Sequence, residues 1–565
     1  MFDLLIKNGL IVDGSGMPAY HGDVAIKDGK IAEVGKLDGE ATRVIDATGQ
    51  VVSPGFIDNH CHFDAQVTWD PLCTFSPNHG VTTVIFGNCS LGLAPVRAGD
   101  HEALAMMLSR VEAIPMESLA EGVNWDWETF PQYLDVIDRR LGVNVGVMMG
   151  HSAIRQYVMG DEAHEREEAT ADEIEEMKAI VRDGIRAGAV GLSFDRNRGH
   201  LDLLGRKIPG IVAPFDEIYA LCSALQGLAA GVLQCGSAYP HEIKDGFATK
   251  MGDISGRPVV YNQITYNARV PDQWKTHLDI VEARVKEGRQ VYPVINPRPQ
   301  ATRFTMANGQ LFDRLPTWQT VMLLEHDEKL AAFGAEANRE KMRRESDGHD
   351  LPASAFPIVW DRVYVTRVAL EKNHDLQGKS IAAMAEAQGK HPVDALLDLA
   401  IEEDLKTSFK NSQSGGDDRA MATMLQSPYT VLGLSDAGAH VVFEAGYGYS
   451  SIVLGHWVRD EGVLTLEEAI RKLTFMQASI YGMHDRGLLW QGMAADVTIF
   501  DPKTISADEV DEVFDLPAGM MRLRQKANGV HYTIVNGEVL MEDGVPTGAL
   551  PGRVMRNAAY APTPA

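Results

Sequence analysis

The sequence predicts a (β/α)₈ barrel of the TIM type joined to a small β-sandwich made from both chain ends. Three observations lead there. Eight apolar, strand-like runs alternate with amphipathic stretches between about residues 55 and 485. Residues that bind metals or move protons gather at the ends of those runs, where barrel chemistry sits. The same Gly- and Asp-turned hairpin texture occurs before and after them.

The N-terminal segment reads Leu4-Leu-Ile-Lys-Asn-Gly-Leu-Ile-Val12, Asp23-Val-Ala-Ile-Lys-Asp-Gly-Lys-Ile-Ala-Glu-Val34 and Arg43-Val-Ile-Asp46. Asn-Gly and Asp-Gly supply the positive φ angles of tight hairpins, so these runs are predicted antiparallel strands. The texture returns in Ala495-Asp-Val-Thr-Ile-Phe500, His531-Tyr-Thr-Ile-Val-Asn-Gly-Glu-Val-Leu540 and Glu542-Asp-Gly-Val545. Residues 1–54 and 486–550 are therefore expected to form one composite sandwich, with 55–485 as a single domain inserted between them.

Within that domain the strand candidates are Phe56 to Asp64, Thr82 to Cys89, Val143 to His151, Ala189 to Asp195, Gly231 to Ser237, Pro258 to Thr265, Gln290 to Pro297 and Thr430 to Asp436. The stretch from about 299 to 429 is mostly helical in pattern and reads as an insertion that covers the barrel mouth and shapes the substrate pocket. Residues 551–565 form a C-terminal tail, in which Asn557-Ala-Ala-Tyr-Ala-Pro-Thr-Pro-Ala565 reads as loosely ordered or as an arm reaching a neighbour.

Composition narrows the function. With 45% hydrophobic and 23% charged residues in 565, the chain is an ordinary soluble globular protein, and no run of about 18 apolar residues offers a membrane span. A formal charge of −26 repels polyanions and argues against a nucleic-acid partner. The acidic runs Asp161-Glu-Ala-His-Glu-Arg-Glu-Glu168 and Asp172-Glu-Ile-Glu-Glu176 read as solvated helix faces. Five Cys argue for reduced thiols, and the opening Met1-Phe-Asp-Leu-Leu-Ile-Lys-Asn-Gly lacks a basic region and a cleavage site; a cytoplasmic location is expected. The expected partner is a small molecule, and a homo-oligomer is compatible with everything read so far.

The chemistry starts from His60 and His62 in Gly55-Phe-Ile-Asp-Asn-His60-Cys-His62-Phe-Asp64. Residues i and i+2 of a strand share a face, so the two imidazoles are placed to bind one metal ion, with Asp58 and Asp64 available as acceptors for ring N–H groups. Asp436, in Leu434-Ser-Asp-Ala-Gly-Ala-His440, reads either as a carboxylate that binds a metal and takes a proton from water or as a helix N-cap. Cys89 ends the second run and reads as a zinc ligand or as a buried structural thiol. Tyr292 and Arg298 flank the end of the seventh run, where a phenol and a guanidinium could polarise a carbonyl or grip a carboxylate; a packing role reads equally well. For His151 the structural reading is preferred, and His440 stays open between substrate contact and structure.

Taken together, Ser53-Pro-Gly-Phe-Ile-Asp-Asn-His-Cys-His62, Gly80-Val-Thr-Thr-Val84, Gly87-Asn-Cys89, Ser435-Asp436, Ala494-Ala-Asp-Val-Thr-Ile-Phe-Asp-Pro502 and Thr547-Gly-Ala-Leu-Pro-Gly-Arg553 resemble the amidohydrolase superfamily. Within it, the chain is most similar to a divergent, longer branch of the N-acyl-D-amino-acid deacylase (D-aminoacylase) family. The resemblance implies hydrolysis of N-acyl D-amino acids with zinc held by His60, His62, Cys89, Asp436 and two further histidines. Those two have no counterpart. The family's fifth strand ends in a Thr-His-x-Arg type motif where Gly231-Val-Leu-Gln-Cys-Gly-Ser237 puts Gly236 or a neighbour. Its sixth ends in Ser-His where Val260-Tyr-Asn-Gln-Ile-Thr265 puts Gln263 or Asn262. An amide oxygen is a weaker zinc ligand than imidazole, so one ion is expected rather than two, zinc or another divalent metal.

The resulting expectation is a metal-dependent amidohydrolase with Asp436 as general base and then acid, and with Tyr292, Arg298, His440 and Gln263 around the substrate. Hydrolysis of a lactone, cyclic imide or other amide by the same site is one alternative. A non-catalytic scaffold that keeps the fold is another.

Overall fold

Eight parallel strands follow one another in chain order across the central sheet: β1 (Phe56–Asp58), β2 (Val81–Phe86), β3 (Asn144–Gly150), β4 (Gly191–Asp195), β5 (Val232–Gly236), β6 (Val259–Asn262), β7 (Val291–Ile295) and β8 (Val431–Leu432). The computed structural model describes all residues except 237–239, 268–269, 299–301, 308, 310–311, 352–356, 413–416 and 561–565. Strands β2 and β3 are buried along their whole length, as parallel strands covered on both faces must be. Each of the eight runs sends one side chain into a shared apolar layer: Ile57, Ile85, Met148, Val190, Val232, Val260, Val294 and Val431. Met476 and Ala478 of the helix Phe475–Ile480 join that layer. The sheet is thus curled into a barrel whose interior is packed with side chains.

The barrel seam lies beyond the regular ladders of β1 and β8. Cys61 and Ala437 form a parallel bridge, the His62 amide donates to the Ala437 carbonyl at 2.7 Å, and the Asp436 amide donates to the His60 carbonyl at 3.1 Å. On the other side, the Cys61 amide reaches the Ile85 carbonyl at 3.2 Å. The ladder of β1 therefore ends at Asp58, earlier than its sequence pattern implies, and the His-x-His segment is extended chain pinned between both neighbours.

Both chain ends contribute to one mixed, nine-stranded hydrogen-bonded sheet around a shared apolar core. Val497–Phe500 pairs antiparallel with Val51–Pro54, joining the N-terminal strands to the C-terminal ones in a continuous ladder. A separate ribbon, Ser506–Val513 with Arg522–Asn528, stands apart from it. The run Val51–Pro54 passes into β1 through Gly55, where a Cβ would fall 2.1 Å from the Thr82 hydroxyl, so this junction has room for glycine alone.

The insertion after β7 holds helices and also a three-stranded antiparallel sheet, Thr302–Thr305, Ser408–Asn411 and Val363–Arg367, absent from the mostly helical expectation. Strands of four or five residues are too short for alternation to show in sequence. The insertion has its own apolar core around Phe304, Phe312, Trp318, Phe333 and Phe409. No helix among the described residues is long and apolar enough to cross a membrane.

Residues 553–557 of the tail are docked on the barrel. β3 extends past the start of β4, which leaves the backbone of Val145 open on that side. The tail fills the gap: the Val145 amide donates to the Arg553 carbonyl at 3.0 Å, and the Met555 amide donates to the Val145 carbonyl at 2.8 Å. Asn557 anchors the end through its side-chain amide on the Ile185 carbonyl at 2.8 Å. Residues 561–565 lie outside the described residues. A chain ending at Leu550 is expected to be less stable by ~2 kcal/mol or more, since several buried hydrogen bonds worth ~1 kcal/mol each are lost; calorimetric unfolding of the two forms measures it.

Candidate metal centre

Above the apolar layer, the seam brings His60, His62 and Asp436 together, and the turn after β2 adds Cys89. The ligating atoms of His60, His62 and Cys89 lie within 4.8 Å of one another, and all three residues are buried. His60 Nε2 stands 3.4 Å from Cys89 Sγ and 3.4 Å from Asp436 Oδ1, and His62 Nε2 stands 3.7 Å from the same carboxylate oxygen. The two rings meet edge to face with centroids 5.2 Å apart. Two imidazoles and a thiol converge on one point with a carboxylate beside the imidazoles, a donor set that suits zinc, so the residues present fit a divalent ion.

The charge states agree with that use. Burial pushes His60 down to about 3, which keeps its imidazole neutral and ready to ligate. Burial also acts against a charged His62, but Glu112 and Asp436 outweigh it and bring that ring to about 9. Asp436 is opposed by its own burial, yet the imidazoles of His62 and His60 hold it well below the usual carboxylate range. Burial, with Asp195 and Glu112 nearby, keeps the Cys89 thiol far above its ordinary value. An arriving cation therefore displaces protons from His62 and Cys89.

Glu112 has no sequence signal: it ends the helix His101–Glu112, with no spacing relation to the His pair. Its carboxylate lies 3.2 Å from His62 Nδ1, at an angle that makes no hydrogen bond, and 4.0 Å from His440 Nε2. With Nδ1 turned to Glu112, Nε2 is the atom of His62 that faces the centre. A carboxylate behind a ligating imidazole fixes its orientation and raises its basicity.

The opposite wall is made of amides. Gln234 of β5 accepts from the Cys89 amide at 3.1 Å and donates to Asn262 of β6 at 3.1 Å, and Asn262 donates to Cys89 Sγ at 3.8 Å. Gly236, at the end of β5, is closely wrapped: a Cβ there would sit 3.0 Å from Cys89 Sγ and 3.1 Å from Asp195 Oδ1. The space that a side chain at 236 would need is taken by the thiol and by the carboxylate that ends β4.

A cavity of about 280 Å³ opens over this floor, bordered mostly by polar groups. It receives Gln263 and His440, two of the predicted substrate contacts, together with Asn197 and His200 from the loop after β4. Arg298 lies deeper, its guanidinium donating to the Ser435 carbonyl at 3.2 Å and pairing with Glu444 at 3.3 Å. Tyr292 sits at the start of β7 and packs against the apolar layer at the other end of the strands, away from this cavity. His151 pairs with Glu217 at 2.7 Å, fully buried and outside the cavity.

Left-handed backbone clusters at the site. Cys89 (φ 53°), Ser90 (φ 67°), Leu434 (φ 58°), Asp436 (φ 51°) and His440 (φ 50°) are all non-glycine residues in that region. Each such residue costs stability and persists where the surroundings over-determine it, a pattern typical of functional sites.

A model of the amidohydrolase family matches residues 43–344 and 349–541. Among curated relatives, an uncharacterised protein of Mycobacterium tuberculosis is 29% identical, covering 96% of this chain and 92% of its own length. The D-aminoacylase of Alcaligenes xylosoxydans xylosoxydans is 27% identical over 99% of this chain and 98% of its own. Among solved structures, a D-aminoacylase studied for its binuclear metal centre, with one-metal activation and second-metal attenuation, aligns at a TM-score of 0.67 and 26% identity over 99% of this chain and 100% of that one. An N-acyl-D-glutamate deacylase from Bordetella bronchiseptica, complexed with zinc and a phosphonate inhibitor that mimics the tetrahedral intermediate, aligns at a TM-score of 0.68, covering 98% of this chain and 99% of that one; at 23% identity it speaks for the fold alone.

Two outcomes follow from the packing and the charge states. Zinc binding followed by calorimetry in buffers of different ionisation enthalpy at pH 7.5 is expected to release about two protons, one from Cys89 and most of one from His62. Gly236→His is expected to lower zinc affinity by roughly tenfold or more, although it adds an imidazole to that wall, because its side chain displaces Cys89; competition with a chromophoric chelator measures it.

Proposed function

The chain belongs to the amidohydrolase family, and from that premise we propose that it hydrolyses a small amide at a single-metal centre held by His60, His62 and Cys89, with Asp436 as the general base. As a family member it is a hydrolase of carbon–nitrogen bonds other than peptide bonds. The observation that carries the finer reading is the convergence of the His60, His62 and Cys89 ligand atoms, with Asp436 Oδ1 against both imidazoles, beside an amide-lined wall on the β5 and β6 side.

A divalent ion bound there would supply the positive charge that acidifies water and polarises the scissile carbonyl. The protein's own groups do the rest. Asp436, ionised and aimed into the cavity, takes a proton from the attacking water. Glu112 sets a negative charge beside His62 Nδ1, while Gln234 and Asn262 hold the Cys89 turn in place. The D-aminoacylase relative activated by one metal supports a site that works with one. The loss of imidazoles from β5 and β6 removes the donors that a second ion would need.

The substrate class follows from the relatives and from the cavity. At about 280 Å³, with polar walls, it suits a molecule of amino-acid size. N-acyl-D-amino acids are the first substrates to try, since full-length relatives are a D-aminoacylase and an N-acyl-D-aspartate deacylase.

Zinc-loaded protein is expected to carry one equivalent of metal by plasma emission and to turn over at least one member of a panel of N-acetyl-D-amino acids. Asp436→Asn is expected to lower kcat by ~10²–10⁴-fold. Protein that binds no stoichiometric divalent ion, or an Asp436→Asn variant with wild-type kcat, would refute the reading.

A further inference from the structure

One buried acid–imidazole pair in the cavity has no part in the mechanism above. Asp195 ends β4 and is fully buried. The loop after it, Arg196-Asn-Arg-Gly-His200, doubles back on that carboxylate. Asp195 Oδ1 accepts the Asn197 amide at 2.9 Å, and Asp195 Oδ2 forms a short bond with His200 Nδ1. The turn is tightened by the Gly199 amide on Asn197 Oδ1 at 3.1 Å and by the His200 amide on the Asn197 carbonyl at 2.9 Å. Both carboxylate oxygens are thus committed, and the imidazole is locked with Nδ1–H toward Asp195.

That lock leaves Nε2 as the working atom of His200. The residue is partly exposed and borders the same cavity as His62, Cys89, Glu112 and Asp436. Its supporting carboxylate stands on the wall where Gly236 replaces a histidine: a Cβ at 236 would lie 3.1 Å from Asp195 Oδ1. An imidazole has returned to that wall from the neighbouring loop, backed by an acid. It is not a member of the ligand cluster, because among the described residues the ligating atoms that lie within 4.8 Å of one another are those of His60, His62 and Cys89. An oriented imidazole that borders the same cavity as Asp436 and lies outside the cluster of His60, His62 and Cys89 has the setting of an acid–base group.

We propose that His200, positioned by Asp195, donates the proton to the leaving nitrogen, dividing between two residues the proton transfers that Asp436 would otherwise perform alone. This rests on the amidohydrolase function argued above. In the first step the oxygen of water bonds to the carbonyl carbon and its proton goes to Asp436. In the second the C–N bond breaks, the electron pair stays on nitrogen, and the His200 Nε2–H proton adds to it, releasing an amine and a carboxylic acid. The proton held on Asp436 then returns through solvent to neutral His200, which restores both groups with no other reactant consumed.

The test compares leaving groups. Zinc-loaded wild type, His200→Gln and Asp195→Asn are each assayed on the best N-acetyl-D-amino acid of the panel and on p-nitrophenyl acetate, whose leaving oxygen departs without a proton. On the amide, His200→Gln is expected to lower kcat by ~100-fold or more with little change in KM, and Asp195→Asn to lower it by ~10-fold or more. On the ester both variants are expected to stay within about threefold of wild type, with zinc content unchanged. Equal losses on amide and ester, unchanged amide turnover in His200→Gln, or loss of zinc from that variant each overturn the assignment. If His200→Gln does not fold, His200→Ala assayed with added imidazole replaces it: selective rescue of amide turnover supports the proposal, and absence of rescue overturns it. A wild type that turns over no amide refutes the hydrolase function itself, and this assignment with it.

Discussion

The candidate metal centre depends on the hydrogen bonds that join the first and last barrel strands past the ends of their ladders. The Asp436 amide on the His60 carbonyl and the His62 amide on the Ala437 carbonyl fix, in one stroke, the distance between the imidazole pair and the carboxylate. The seam is reinforced from below by buried polar ties: Ser435 Oγ on Asp58, Asn59 Nδ2 on Gln477 at 2.8 Å, and the Tyr449 hydroxyl on the Ile57 carbonyl at 3.2 Å. Breaking any of these leaves a buried donor or acceptor unsatisfied at a cost of ~1–3 kcal/mol, so the site geometry is held by the same bonds that close the fold. Asp58 shows how dry this layer is: burial carries its carboxyl to about 7 despite the Ser435 hydroxyl.

Two walls face each other across the cavity, and they differ in chemistry. One carries the imidazoles, the thiol and the carboxylate. The other carries neutral amides, Gln234 and Asn262, which satisfy each other and brace Cys89. Amides do not lose protons and bind zinc weakly, so this arrangement concentrates affinity on the side of the imidazoles and the thiol. Asp436, held ionised by the neighbouring imidazoles, adds a negative charge that favours a cation before any substrate arrives.

The sequence was informative where chemistry and spacing coincide. His60 and His62 are two apart, Cys89 ends an apolar run, and Asp436 ends the last one, so their convergence follows once a barrel is assumed. Glu112 was illegible because it approaches from the end of a helix, and nothing in its local pattern marks it. His200 left a faint trace, an acid at a strand end with a histidine five positions on, which gains meaning only when the loop is seen to fold back. Tyr292 illustrates the opposite failure: its type suggested a substrate contact, but its depth in the strand, which decides which end of the barrel it serves, could not be read without the register. The terminal sheet was legible as strands and turns, while the edge pairing that makes it one sheet is a long-range contact with no local signature.

The insertion after β7 has a consequence for substrate preference. It leaves one barrel strand and returns to the next with a core of its own, while its last helix, Asp418–Gln426, packs Ala420, Met424 and Leu425 into the main core. It also meets the loop beside the cavity, where Arg314 donates to Asn197 at 3.1 Å, and a buried Arg110–Asp313 pair ties it to the helix that ends in Glu112. A substitution within the insertion's own core therefore reaches the pocket through these contacts, which gives substrate preference a lever outside the residues of the candidate site.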